Sequence, residues 1–201
     1  MQLVERDDGG PNLWIFKPHT DKIYDFPDGG VVRVTTSDDI GFCNASGLYD
    51  AAPSIDLLTL GDSFTWCHAV HMADTWAIRL GESTGLRTYN LGKGGIGPFE
   101  YVQILKRFGI PKSPRVVVMN VYEGKEILTW FSGEQRRYFK RVAGELGLIF
   151  VDLTPHLQAA ITSVDPERLL YYPTTMHYTA EAHALVATVL SEALRKHGLA
   201  E

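Results

Sequence analysis

Three short stretches carry residue types suited to covalent chemistry at a carbonyl. The first is Gly61-Asp62-Ser63-Phe64-Thr65, which directly follows an apolar run. A serine at a strand-to-loop turn can project its hydroxyl above a sheet while a nearby backbone N–H faces the same reacting atom, which is a nucleophile's position. The same residues also read as a polar turn in which Asp62 and Ser63 satisfy backbone donors. The second stretch is Asn90-Leu91-Gly92-Lys93-Gly94-Gly95-Ile96-Gly97-Pro98. Its glycines let the backbone approach a ligand closely, with N–H groups aimed at an anion. Gly92, Gly94 and Gly97 also fit G-x-G-x-x-G, but a dinucleotide site needs that fingerprint on the first strand of its unit and an acid about 20 residues on. Here it follows the second strand, and the next acid after the following helix is Glu123. The third stretch ends at His177, in a loop before the last helix. An imidazole there can reach over a sheet edge as a general base, or serve as a surface or capping group.

Other titratable residues carry weaker signals. His68, His71 and Asp74 would share one face of a helix, beside Cys67, as metal ligands sometimes do, but the segment also reads as loop and no metal is expected. His183 and His197 fall on the final helix and read as solvent-facing or as partners of its C-terminal dipole. His19 and His156 show no partner pattern.

The elements that must position these residues follow from periodicity. From Ile55 onward, Ile55–Leu60, Thr88–Leu91, Arg115–Val121 and Leu148–Asp152 are short apolar or β-branched runs bounded by Gly, Pro or Asp, separated by helix-length segments. That spacing favours parallel strands joined by helices, with ligands bound where the strands end. Asp74–Glu82, Phe99–Phe108 and Glu134–Leu146 read as helices. In the last helix Ala182, Leu185, Val186, Val189, Leu190, Ala193 and Leu194 recur at helical spacing, with Thr179 as N-cap and Gly198 as the stop. Residues 1–54 differ. They are rich in Asp, Gly, Pro and Asn, with alternating runs at Leu13–Lys17 and Val31–Thr35 and a turn at Asp28-Gly29-Gly30, so a β-ribbon extension is expected there and an α/β domain over 55–201.

Composition bounds the rest. The chain has 201 residues, 45% of them hydrophobic and 21% charged, which is ordinary globular composition for one folded unit. A formal net charge of −5 argues against a general nucleic-acid binder, which needs a basic surface. No stretch approaches the ~20 apolar residues of a membrane span, and the first ten residues lack the basic-then-apolar pattern of a signal peptide. A soluble chain is expected, in an extracytoplasmic compartment if a leader or anchor has been removed. Cys43 and Cys67 are too few for a disulfide framework, and a chain of this length does not need one.

Taken together, Gly61-Asp62-Ser63-Phe64-Thr65, the Asn90-Leu91-Gly92 to Gly95 loop and His177 resemble, in order, the first, second and fifth blocks of the SGNH (GDSL-type) hydrolases. The resemblance runs from about Ile55 to the end. The preceding Arg33-Val34-Thr35-Thr36 and Gly41-Phe42-Cys43-Asn44 look like the extension of a bacterial branch of such proteins. It implies a three-layer α/β/α sandwich of flavodoxin-like type with a parallel central sheet. It also implies cofactor-free hydrolysis of small acyl esters, such as acetyl groups on a carbohydrate, through an acyl-enzyme. Ser63 would be nucleophile and His177 general base, and the N–H groups of Ser63 and Gly95 would be oxyanion donors.

Two positions depart from the pattern. Lys125 stands where the third block has an Asn donor, and Thr174 where the fifth block has the acid that orients the histidine. A lysine head can donate to an oxyanion but does not occupy an amide's place without adjustment. A threonine supplies no charge to an imidazolium, so Ser63 and His177 would act as a dyad with a backbone carbonyl holding the ring. Asp152, Glu123 and Glu126 are acids at other strand ends that could take the vacant role. The same departures also fit a non-catalytic binding module on this fold. Trp130, Phe131 and Ser132, with Phe99 and Tyr122, read as acyl-pocket lining, core or a dimer surface.

Overall fold

The N-terminal residues build two antiparallel hairpins. In the computed structural model, which describes residues 3–6, 13–26, 30–35, 37–121, 132–163, 170–173 and 175–201, β1 (Leu3–Arg6) pairs with β2 (Leu13–Phe16), Leu3 opposite Phe16. β3 (Asp21–Phe26) pairs with β4 (Gly30–Thr35), Asp21 opposite Thr35. The alternating runs Leu13–Lys17 and Val31–Thr35 fall on β2 and β4.

The parallel sheet follows. β5 (Leu57–Leu60) lies between β6 (Thr88–Asn90) and β7 (Val116–Met119), in the order β6-β5-β7 with all pairings parallel. The first core strand is thus central and the chain winds outward from it in both directions, as in doubly wound α/β folds. β5 buries every side chain, which is why it reads as a continuous apolar run. Leu58 and Leu60 pack with Tyr101, Ile104 and Phe108, around α3 (Pro98–Ile104). Leu57 packs with Trp76, Ala77 and Leu80 of α2 (Trp76–Thr84) and Val186, Leu190 and Leu194 of α6 (Ala180–Lys196). Helices therefore cover both faces, giving three layers. Each buried leucine contributes about 1.5–3 kcal/mol.

α6 starts at Thr179, whose side chain accepts from Ala182 N–H, and Gly198 follows it with φ 67°. Two expectations fail. The run Leu148–Asp152 is not a strand: it connects α4 (Ser132–Glu145) to an unanticipated α5 (Thr154–Ser163), and Leu148 and Ile149 are exposed. Apolar content alone cannot distinguish a strand from a connector without a ladder partner. The cysteines also form a staple after all, Cys43–Cys67.

The N-terminal segment, which includes the short helix α1 (Leu48–Ala51), enters the core. Leu13, Ile15, Ile40 and Phe42 join the cluster of Leu58 and Leu60, and Phe16 stacks on Trp66 at 4.6 Å. Gly41 is required there, because a β-carbon would come within 2.1 Å of the Phe16 carbonyl oxygen and φ is 121°. The buried carboxylate of Asp38 accepts from the N–H groups of Ile40, Gly41 and Phe42 through one oxygen, and from Tyr89 Oη and Asn44 Nδ2 through the other. Burial first, and the Asp38 charge second, hold the Tyr89 phenol protonated well above its ordinary range. Asn44 in turn caps the β6 edge: its Oδ1 accepts from Asn90 N–H and its Nδ2 donates to Asn90 carbonyl, taking both groups a further strand would use.

Candidate active site

Ser63 lies just beyond β5, in a series of turns. Asp62 shapes the first of them: its carbonyl accepts from Thr65 and Trp66 N–H, and its Oδ1 accepts from Phe64 N–H at 2.9 Å. Burial raises the Asp62 pKa, against the backbone hydrogen bonds that lower it. Trp76 Nε1 donates to the Phe64 carbonyl at 2.9 Å, anchoring the turn to α2.

The glycine-rich loop closes onto this turn. Asn90 Nδ2 donates to the Thr65 carbonyl at 2.8 Å while its Oδ1 accepts from Gly92 N–H at 2.8 Å, so one amide joins the serine turn to the loop. A β-carbon on Gly92 would lie 2.7 Å from Thr65 and Trp66 backbone atoms, and one on Gly61 would lie 2.2 Å from Thr65 Oγ1. The missing side chain at Gly92 therefore lets the loop lie directly on the serine turn, and that at Gly61 leaves room for Thr65 within it. Gly94 sits beside Ser63, where an added β-carbon would be 3.8 Å from the serine's own. Gly95 follows with φ 75°, a left-handed conformation that favours glycine. Lys93 is buried, with Nζ 3.3 Å from the Gly94 carbonyl, and burial lowers its pKa against the opposing charge of Glu100.

His177 arrives from the other end of the chain. A Tyr171–Tyr178 bridge and bonds from Tyr172 N–H to His177 carbonyl and Met176 N–H to Tyr172 carbonyl fold its loop tightly, with Met176 at φ 58°. His177 Nε2 is 2.8 Å from Ser63 Oγ, and its Nδ1 is 2.9 Å from the Thr175 carbonyl oxygen. A carbonyl can only accept, so Nδ1 carries the proton and Nε2 presents its lone pair to the serine hydroxyl. The imidazole is flanked by Phe64 at 4.9 Å and His68 at 3.7 Å between ring centroids.

The remaining sequence candidates separate. Lys125, Thr174, Glu123, Glu126, Tyr122, Trp130 and Phe131 lie outside the described residues. Phe99 is exposed on α3. Asp152 accepts from Thr154 N–H at the start of α5 and lies 3.8 Å from Arg136, while His177 Nδ1 faces the Thr175 carbonyl instead. His68, His71 and Asp74 do not share a helical face, because residues 63–70 turn instead of forming a helix. Asp74 pairs with Arg79, and among the described residues no cluster of three or more His, Cys, Asp or Glu side chains is placed to hold a metal ion.

His183 is not solvent-facing. It is fully enclosed, its Nδ1 accepts from Trp76 N–H at 3.1 Å, and burial, reinforced by Arg79 and His177, pushes its pKa down to about 3. His19 does have partners: its Nδ1 is 3.4 Å from Ser46 Oγ and its Nε2 is 3.3 Å from Asp39. Sequence reading missed Asn44, Asp38 and the structural part of Asn90. Their one signal was polar residues flanking predicted strand ends.

No protein-family model matches the chain, and no curated protein does. Among solved structures it is similar to a protein from Desulfitobacterium hafniense DCB-2 assigned to the G-D-S-L lipolytic family. The identity is 15% and the TM-score 0.46, covering 70% of this chain and 100% of that one. At that level of similarity the fold rests on the strand order and layers described above. No described helix is long and apolar enough to cross a membrane.

Proposed function

We propose that the protein is a serine esterase of the SGNH type, hydrolysing small acyl esters, O-acetyl groups on carbohydrates among them, through a Ser63–His177 dyad. The supporting observation is the 2.8 Å contact of His177 Nε2 with Ser63 Oγ in a ring whose other nitrogen is committed to the Thr175 carbonyl. In this reading Nε2 takes the hydroxyl proton as Oγ attacks the ester carbonyl. The tetrahedral oxyanion meets the N–H groups of Ser63 and Gly95, and Lys125 is assigned the role of the third donor that the family pattern gives to its position. The imidazolium then protonates the leaving alcohol, and a water activated by Nε2 releases the acid and regenerates Ser63. Residues 1–54 serve as the extension and 55–201 as the hydrolase domain.

Using the Thr175 carbonyl in place of a carboxylate favours one rival, a binding module that keeps the fold without turnover. A serine-directed fluorophosphonate separates the two. Stoichiometric modification at Ser63, with hydrolysis of a short-chain aryl ester lost in Ser63→Ala, is the expected result. No labelling, or equal turnover by both proteins, overturns the esterase reading.

A further inference from the structure

The ring packed most closely on His177 belongs to a residue that no step above uses. His68 lies nearly parallel to it, 3.7 Å between centroids and 24° between planes, and Phe64 lies at 4.9 Å and 23°. Its placement is built. Cys67, the preceding residue, is tied to Cys43, and Ala69, the following one, adopts φ 63°. The Ala69 carbonyl accepts from Tyr172 Oη at 3.2 Å, so the His68 turn is fastened to the loop that carries His177. His68 N–H donates to the Trp66 carbonyl at 2.9 Å, tightening that turn.

We infer that His68 is a positioning residue for His177, its ring face holding the imidazole toward Ser63 and lying against the positive charge that His177 acquires when it takes the serine proton. This rests on the esterase reading. Aromatic faces within about 6 Å of a cation attract it through their quadrupole. With Nδ1 on a carbonyl that supplies a dipole and no full charge, the flanking faces provide the remaining stabilisation of the imidazolium. Among the described residues, His183 on α6 senses the His177 charge, Asp62 accepts from Phe64 N–H on the serine turn, and the phenols of Tyr172 and Tyr178 lie against Ala69 and Phe64. His183 stays neutral through the working range because burial pushes it to about 3.

The test compares His68→Phe, which keeps a flat face and removes titration, with His68→Leu, which removes the face, in the full disulfide-bonded chain. The His177 ring is followed by NMR against pH, and Ser63 modification by fluorophosphonate is timed at neutral pH. His177 in the Phe variant should titrate about half a unit or more above its value in the Leu variant. The Phe variant should label within about 3-fold of the parent and the Leu variant about 10-fold more slowly. Equal His177 titration in the two variants overturns the inference. The titration needs no turnover, so it decides the matter even if the parent is never labelled, an outcome that would remove the esterase reading alone. If His68→Leu melts early, His68→Met takes its place as the variant without a face.

Discussion

Among the described residues a serine meets a histidine in two places. At Ser46 the set is chemically complete: Oγ lies 3.4 Å from His19 Nδ1, and Nε2 of the same ring lies 3.3 Å from Asp39. At Ser63 the histidine leans on a backbone carbonyl, yet the contact is 2.8 Å. The surroundings differ more than the residue types do. His19 and Asp39 are 59% and 39% exposed, so water competes for every hydrogen bond and screens the charge. His177 is half-buried, flanked by two rings and held by a closed loop. The Ser63 turn sits at the end of the central strand, against a glycine loop in which a β-carbon on Gly94 would meet the serine's own at 3.8 Å. Residue type supplies a candidate; a shorter, less exposed and better-held contact sets the second place apart from the first.

That comparison can be broken by exchanging which histidine is lost. His177→Ala should lower aryl-ester turnover about 10³-fold or more, and His19→Ala should leave it within about 2-fold. Comparable losses would show that the exposed set takes part. A smaller effect concerns what fixes the two places. The Cys43–Cys67 bridge spans 24 residues and fastens the His68 turn. Replacing both cysteines by serine should cost about 3 kcal/mol by loop entropy, read from urea midpoints. His19→Ala should change stability by less than about 0.5 kcal/mol.

A pH dependence gives an effect smaller than that of the disulfide. His183 is held neutral, with its pKa depressed to about 3 in the folded chain against 6.5 unfolded. The unfolded state binds more protons between those values, so this contribution is complete above pH 6.5 and is lost as pH falls toward 3. From pH 6.5 to 5 the loss should be about 1.6 kcal/mol. His183→Asn, whose amide oxygen can take the place of Nδ1, should lack that part of the slope in urea titrations at the two pH values.

Much of the scaffold is written locally. Leu57 to Leu60 are apolar on both faces because both faces are covered, and Ala182, Val186, Leu190 and Leu194 recur every four residues with a capping threonine before them. Such signals need only neighbours in the chain. The order of Ser63, the glycine loop and His177 also suggests the site, since strand ends gather on one edge of a parallel sheet. The rest depends on contacts between distant residues. Asp38 and Asn44 look like turn residues until Tyr89 and Asn90 are brought to them from beyond β5. His183 occupies a position that looks polar, and only the approach of Trp76 encloses it. His68 reads as a possible ligand or loop residue until a chain segment more than a hundred residues away stacks upon it.

The interlock of Gly61, Gly92 and Thr65 bears on the paths by which this chain could evolve. At Gly92 the obstacles include main-chain atoms of Thr65 and Trp66, 2.7 Å from any added β-carbon. No side-chain change elsewhere opens that position, so drift there is closed. At Gly61 the nearest obstacle is the Thr65 side chain, with the Asn120 carbonyl next at 3.0 Å. A step there is conditional: Thr65 has to shrink first, and the reverse order passes through an ancestor with an overfilled turn beside Ser63. Two glycines around one threonine therefore have different histories open to them.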